Sequence, residues 1–301
     1  MTGPALNHNR TRIEPVDHAQ SISPLVRRMV APNGSPFTFT GTCTYIVGTG
    51  KVAIIDPGPD NDAHLKALLR AVDGESVEHI VITHTHRDHS PGARALQKAT
   101  GATIIGCAAH VPVENAPSGR LDAGHDTDHR PNSQMQDGDV LSGQGFTLEA
   151  IATPGHASNH LAFALREENT LFSGDHVMAW STSIVAPPDG SMHDYMQSLE
   201  KLLARQEIRY WPGHGDAVED PHTYVAALAH HRRQREAAIQ ERVAAGDGFI
   251  ATIVTQVYQG LDPKLHGAAA LSVLAHLEDM TARGLVKTDG SATLDAHYRS
   301  G

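Results

Sequence analysis

A short stretch at residues 81–93 reads VITHTHRDHSPGA and places three histidines and one aspartate within six positions. Imidazole and carboxylate groups are the usual protein ligands of borderline and hard divalent metals. His84 and His86 alternate by two, so an extended backbone puts their side chains on one side, and Asp88 and His89 follow at once. Four ligands are too many for one tetrahedral ion that also holds water, so the motif predicts two ions side by side.

Three later segments supply candidate partners for these ligands. His156 lies in TPGHASNH, Asp175 in LFSGDH and His214 in YWPGHG. Each follows an apolar run, and each has a nearby glycine that lets the backbone turn sharply. We therefore expect several strand ends to bring these side chains to the histidine-rich stretch.

The flanking sequence predicts how that stretch is positioned. A hairpin is indicated by TYIVG and KVAIID, and a helix by NDAHLKALLRAVDG, whose apolar residues recur at helical spacing. VEHIVIT then predicts a buried strand, and SPGARALQKATG predicts a helix with Ser90 as its N-cap. The motif thus falls between a strand end and a helix start, where α/β proteins commonly place ligand sites.

The chain continues with a polar segment and a second strand-rich region. Residues 110–136 lack periodicity, which predicts a long loop of the kind that often forms a lid. Strands are predicted in FTLEAIATPGH, HLAFALREENTLFSGD and IRYWPGHG, and a helix capped by Ser191 is predicted in SMHDYMQSLEKLLAR.

The pattern changes near residue 222. One long helix with a basic centre is predicted for TYVAALAHHRRQREAAIQERVAAG, and two more helices and a hairpin follow it. That order indicates a small winged-helix-like appendage. We expect a catalytic domain over residues 1–225 and the appendage over residues 226–301.

The composition narrows the class of protein. With 301 residues, of which 40% are hydrophobic and 19% charged, the chain can bury a sizeable globular core. Two cysteines do not make a disulfide framework, and a net charge of −10 does not favour general electrostatic binding to nucleic acid. The N-terminus lacks a signal-peptide core and no run of 18 apolar residues occurs, so we expect a cytoplasmic protein with no membrane partner. The oligomeric state stays open.

The order of the motifs resembles the metallo-β-lactamase superfamily. His-x-His-x-Asp-His is followed by PGH, SGD and PGHG over roughly residues 25–220. The resemblance implies an α/β fold, an αββα sandwich, and it matches Asp56 in IIDPG to an aspartate that braces the metal loop. It also implies that one ion is held by His84, His86 and His156. By the same resemblance, the second ion is held by Asp88, His89 and His214, and Asp175 bridges the two ions.

A finer resemblance is to the LACTB2-like branch of that superfamily. It is carried by APNGSPFTFTGTCTYIVG, THTHRDHSPGA, SGDHVMAWSTSIVAPPDG and the C-terminal segment, which together span nearly the whole chain. Cys43 stands where the branch usually has Asn, and we interpret it as a local change near the site and not as a ligand. The branch implies single-strand endoribonuclease activity as one alternative.

The remaining histidines have no motif support. His160 lies four residues after His156, and substrate contact there is weighed equally against a structural role. The other histidines are interpreted as solvated or structural, and the main examples are His79, His110, His125, His129, His193, His266 and His276.

These features predict a metal-dependent hydrolase that attacks with a metal-bound hydroxide. Two divalent ions roughly 3.5–4 Å apart lower the pKa of a shared water and hold the oxygen that gains charge. Asp88 and Asp175 are the candidate catalytic carboxylates. Zinc is the expected ion, with manganese or iron as alternatives.

The sequence leaves the substrate open. Small esters or thioesters are the leading class. RNA is an alternative partner, weakened because 5% aromatic residues offer few stacking platforms. A β-lactam hydrolase and a non-catalytic metal-binding module are further alternatives.

Overall fold

The computed structural model describes residues 5–14, 16–112 and 124–301. The loop expected over residues 110–136 therefore lies partly outside the described residues. Its end contains a short strand, Ser133–Gln134.

The first sheet has seven strands in chain order: β1 Gln20–Ser21, β2 Val26–Val30, β3 Cys43–Thr49, β4 Lys51–Ile55, β5 Ser76–Ile82, β6 Thr103–Gly106 and β7 Ser133–Gln134. β3 and β4 form the predicted antiparallel hairpin. From β4 to β7 the pairs are parallel. Because β4 and β5 end at the same edge, Asp56 and the start of the histidine-rich stretch lie close together.

The second sheet has five strands in the order β12-β11-β10-β9-β8. Their bounds are β8 Val140–Ser142, β9 Thr147–Ala152, β10 Leu161–Leu165, β11 Thr170–Gly174 and β12 Arg209–Pro212. β9 and β11 are both antiparallel to β10, and β11 is parallel to β12. The carboxyl ends of β9, β11 and β12 therefore share one edge, which places the segments of His156, Asp175 and His214 together.

The two sheets face each other and helices cover their outer sides. α1 Asp62–Ala71 and α2 Gly92–Thr100 lie on the first sheet, and α3 Met192–Leu203 lies on the second. β10 shows the layering: Phe163 and Leu165 point into the core between the sheets, whereas Ala162 and Ala164 face α3. Small residues on the outer face allow the helix to approach closely, so the sequence LAFAL fits a strand buried on both sides.

The C-terminal part has its own core. It consists of α4 Pro221–Ala244, α5 Ile250–Val257, α6 His266–Ala282 and a hairpin of β13 Val286–Thr288 and β14 Tyr298–Ser300. Val225 and Leu228 on α4 pack with α3, while Ile239 and Val243 pack with α5 and α6. One helix thus belongs to both cores and runs through residue 225, and the domain boundary placed there stays a prediction.

Two predicted helix caps have different outcomes. Ser191 accepts a hydrogen bond from the Asp194 amide and caps α3, as predicted. The prediction for Ser90 was wrong, because Pro91 holds the cap position of α2 and the Ser90 hydroxyl donates to Asp126 at 2.9 Å. In the described part of the chain, none of the helices has the length and apolarity needed to cross a bilayer.

Candidate metal centre

Three imidazoles meet in a first cluster formed by His84, His86 and His156. The Nδ1 atom of His86 lies 3.0 Å from His84 Nε2 and 3.0 Å from His156 Nε2. One ring nitrogen carries either one proton or one lone pair, so it cannot satisfy two such neighbours by hydrogen bonding. Three nitrogens converging on one point instead fit a shared cation.

A second cluster contains Asp88, His89 and His214. Asp88 Oδ2 lies 3.3 Å from His89 Nε2 and 3.1 Å from His214 Nε2. His89 directly precedes the turn into α2, and His214 follows β12. The strand ends of both sheets therefore contribute to the cluster, as the motif order predicts.

Asp175 lies between the two clusters. Its Oδ2 atom is 3.6 Å from His156 Nε2 in the first cluster and 3.3 Å from His214 Nε2 in the second. Its Oδ1 atom is 3.5 Å from His89 Nε2. One carboxylate thus contacts both groups of ligands, which is the position of a bridging residue.

The spacing of these atoms fits divalent ions. Zinc binds histidine nitrogen at about 2.0–2.1 Å, so tetrahedral ligands of one ion lie about 3.3–3.4 Å apart. The separations of 3.0–3.6 Å in the two clusters bracket that value. His89 Nε2 and Asp175 Oδ1 are also buried with no hydrogen-bond partner. A cation would satisfy both atoms.

Asp56 holds the histidine-rich stretch from behind. Its carboxylate accepts hydrogen bonds from the Thr83 amide at 2.9 Å, the Thr83 hydroxyl at 2.6 Å and His89 Nδ1 at 2.9 Å. The Thr83 hydroxyl in turn accepts from His84 Nδ1 at 2.9 Å. These bonds keep the protons of both rings on the far side and direct Nε2 towards the clusters.

Backbone carbonyls orient the rings of the two histidines that follow strands of the second sheet. His156 Nδ1 donates to the Ile184 carbonyl at 2.6 Å, and His214 Nδ1 donates to the Gly41 carbonyl at 3.2 Å. Each bond selects the tautomer whose Nε2 lone pair faces the cluster. The loop that follows β11 therefore helps to orient a candidate ligand.

A family model for the Metallo-beta-lactamase superfamily matches residues 37–214, a range that includes both clusters. The chain belongs to the metallo-beta-lactamase superfamily. A second model, for the Beta-lactamase associated winged helix domain, matches residues 250–295. The expected sandwich with a C-terminal winged helix is confirmed.

Curated relatives extend this result. A Beta-lactamase-like protein 2 homolog from Caenorhabditis elegans is 31% identical and aligns over 92% of this chain and 90% of its own length. An atrochrysone carboxyl ACP thioesterase from Paecilomyces divaricatus is 32% identical over 80% of this chain and 73% of its own. The LACTB2-like resemblance is confirmed, and so is the expectation of an enzyme, since members of the superfamily are hydrolases.

Solved structures share the fold. A beta-lactamase domain protein from Burkholderia ambifaria superposes with a TM-score of 0.79 at 19% identity, covering 98% of this chain and 97% of that one. A metallo-beta-lactamase family protein from Thermus thermophilus gives 0.73 at 21% identity, covering 93% and 100%. Metal binding is typical of the superfamily, and the His and Asp clusters of this member are able to provide it.

His160, for which substrate contact and a structural role were both considered, lies buried behind Asp175. It is 1% exposed, its Nδ1 lies 2.8 Å from the Thr153 hydroxyl, and its Nε2 accepts a hydrogen bond from the Asp175 amide at 3.2 Å. Both ring nitrogens are engaged inside the protein, and His160 supports the backbone of Asp175. Substrate contact by His160 stays a prediction.

Two histidines that were interpreted as solvated or structural lie beside the first cluster. The rings of His110 and His125 stack with centroids 3.6 Å apart, and the His125 ring lies 4.9 Å from that of His86. Asp189 is close to both, with Oδ2 3.6 Å from His125 Nε2, and it accepts hydrogen bonds from Ser158. No local sequence signal marks these residues, because they come from connecting segments and not from strand ends.

The electrostatics of the two clusters differ. Burial, with neighbouring imidazoles, holds the pKa values of His84 and His86 well below the usual value, so both rings are neutral at pH 7. Burial also opposes protonation of His214, but the Asp175 and Asp88 carboxylates outweigh it and raise its pKa to about 9. The carboxylates of the second cluster thus attract positive charge, either a proton on His214 or a cation that displaces it, whereas the first cluster offers neutral imidazoles.

Gly213 is a direct test of the crowding around Asp175. A Cβ atom on Gly213 would lie 2.2 Å from Asp175 Oδ1 and 2.8 Å from His89 Cε1. We expect Gly213→Ala to displace the carboxylate and to weaken zinc binding by at least about tenfold, with a chelator competition assay as the measurement. Gly267→Ala is the control, since its Cβ meets nothing within 4 Å. Equal zinc affinity in both variants would contradict the geometry.

Proposed function

We propose that this hydrolase uses two divalent metal ions, preferably zinc, to cleave small esters or thioesters. The observation that carries the proposal is the position of Asp175, whose carboxylate contacts His156 in one cluster and His214 in the other. A bridge of this kind is useful only if both clusters hold a cation. Zinc is favoured because five of the seven candidate ligands are imidazoles.

When bound, a pair of such ions acidifies a water molecule and stabilises the oxygen that gains negative charge. The residues of the chain supply the rest. Asp88 is the most exposed of the seven candidate ligands, with 21% of its side chain accessible, so its carboxylate can accept a hydrogen bond from the attacking water. The Asp175 side chain is only 8% exposed, and its carboxylate contacts both groups of ligands and so holds them next to each other.

Neither cysteine is suited to act as the nucleophile. Burial raises the pKa of the Cys43 thiol to about 11, and burial also raises the pKa of the Cys107 thiol well above its usual value. Both thiols are therefore protonated at pH 7 and closed off from solvent. Cys43 is not among the clustered ligands, consistent with its interpretation as a local change.

The surroundings of the two clusters differ in polarity. Phe39 and Trp180 stack with ring centroids 5.0 Å apart, and Trp180 lies against Gly215, next to His214 of the second cluster. The pair of His110 and His125, with Asp189, lies beside His86 of the first cluster. We infer that the apolar group would hold an acyl chain and the polar group a more polar leaving group.

Relatives named as thioesterases support this substrate class. Two of them, from Paecilomyces divaricatus and Cryptosporiopsis, are 32% and 30% identical to this chain and each align with 80% of it. RNA is the second candidate partner because the LACTB2-like resemblance implies it. The net charge of −10 disfavours a polyanion that has to be bound over several nucleotides.

The metal content is the first test of the proposal. We expect about two zinc ions per chain after mild purification, because each cluster offers three ligand groups and Asp175 serves both. Elemental analysis of the purified protein measures the number, and manganese or iron in place of zinc would change only the identity of the ion. One ion or fewer after zinc is added back would contradict the dinuclear centre.

A substrate panel tests the reaction. The zinc-loaded protein is assayed with an acyl thioester, an aryl ester, a chromogenic β-lactam and end-labelled single-stranded RNA. We expect kcat/KM to be highest for the thioester or the ester. RNA cleavage without acyl hydrolysis would replace the proposal with the endoribonuclease alternative, and no turnover of any substrate would favour a metal-binding module.

Asp175→Ala tests the bridge. Loss of the carboxylate removes a contact to both clusters, and we expect kcat/KM to fall by at least about 10³-fold, equivalent to about 4 kcal/mol in the transition state. Circular dichroism should show a folded protein. The control is His222→Ala, an exposed histidine at the start of α4, which should stay within about twofold of the parent. Similar losses in both variants would show that the ligand assignment is wrong.

A further inference from the structure

A buried arginine of the C-terminal helix contacts the loop that orients His156. Arg232 lies on α4 and is 4% exposed. Its guanidinium donates a hydrogen bond to the carbonyl of Ser183. The next carbonyl along the chain, that of Ile184, accepts the hydrogen bond from His156 Nδ1 at 2.6 Å. Two consecutive carbonyls are thus held by hydrogen bonds, one from α4 and one from a candidate metal ligand.

A second set of contacts links the same arginine to the segment that follows Asp175. The Arg232 guanidinium lies 5.1 Å from the centre of the Tyr195 ring. The Tyr195 hydroxyl donates to the His176 carbonyl at 3.0 Å, and the Ser183 hydroxyl donates to the same carbonyl at 2.8 Å. Because His176 directly follows Asp175, these bonds fix the backbone beside the bridging carboxylate.

Burying the Arg232 guanidinium away from water costs free energy, so the groups that contact it must offset that cost. Among the residues that the structure describes, no Asp or Glu forms an ion pair with Arg232. Its Nε atom is buried without a hydrogen-bond partner. A buried charge that lacks a carboxylate must be compensated by carbonyl dipoles and an aromatic face. The compensating groups here are the Ser183 carbonyl and Tyr195, which belong to the surroundings of the metal centre.

We propose that Arg232 is a positioning residue through which the C-terminal part of the chain sets the metal affinity of the His156 cluster. The inference rests on the proposed metal centre. Holding the Ser183 carbonyl fixes the neighbouring Ile184 carbonyl, which selects the tautomer and direction of the His156 ring. Outer groups that orient a ligand in this way typically change metal affinity by about 10–100-fold.

The chain offers a matched control three residues further along the same helix. Arg235 donates to the Val257 carbonyl at 2.9 Å, and its guanidinium lies 4.7 Å from the centre of the Tyr258 ring. Its Nε atom is likewise buried without a partner. The two arginines thus make the same kinds of contact, but those of Arg235 stay within the C-terminal part and do not reach the metal centre.

The experiment compares Arg232→Met with Arg235→Met in the full chain. Two quantities are measured on each variant: the Tm of the metal-free protein, and the affinity for each of its zinc ions by competition with a chromogenic chelator. We expect both variants to lower the Tm of the metal-free protein. Only Arg232→Met should weaken one of the two zinc sites, by about tenfold, and Arg232→Lys should restore part of the affinity since it keeps a donor.

The outcomes distinguish two kinds of failure. Unchanged zinc affinity in Arg232→Met, or equal losses in both variants, would overturn the positioning role. If Arg232→Met does not fold, Arg232→Gln decides, because its side chain is too short to reach the Ser183 carbonyl, and unchanged zinc affinity there would also overturn the role. His156→Ala is measured alongside. If that variant binds zinc as the parent does, the proposed metal centre fails, and the inference about Arg232 fails with it for a different reason.

Discussion

The carboxylate of Asp175 has to lie within 3.3–3.6 Å of three imidazole nitrogens that come from three other segments of the chain. This constraint explains the backbone on either side of it. Gly174 has a φ of +49° and packs against His160, and Gly213 leaves no room for a Cβ beside the carboxylate. The glycines of SGD and PGHG are therefore required by close approach as well as by chain reversal.

Bringing so many polar groups out of water is unfavourable unless each one has a partner. The far side of every oriented ring is satisfied by the protein: Asp56 serves His89, and carbonyls serve His156 and His214. Asp56 reaches its donors from a φ of +48°, a left-handed conformation that aspartate tolerates better than most residues. The near side is left to the clusters themselves, where atoms such as His89 Nε2 have no protein partner. Metal binding, which is typical of the superfamily, would satisfy that side.

Much of this arrangement could be predicted from the sequence because it depends on local patterns. Period-two and helical spacing identified the strands and helices, and a Gly-flanked His or Asp after each apolar run indicated the segments of the candidate ligands. Contacts between distant segments had no such signal. The stacking of His110 on His125 and the burial of His160 behind Asp175 depend on how the two sheets face each other. Ser90 does not cap α2 because its hydroxyl donates a hydrogen bond to Asp126, which lies 36 residues later in the chain.

The site therefore combines two kinds of support. The candidate ligands follow strands whose register is fixed by hydrogen bonding in two sheets, so their positions depend little on the connecting segments. The group of His110, His125 and Asp189 is different, since all three lie in connections and adjoin the first cluster at His86. Such connections can vary in sequence while the strand ends stay in place. Under the proposed function, changes in these connections would alter which acyl group is accepted while the candidate ligands stay in place, provided that the residue at position 125 still packs beside His86.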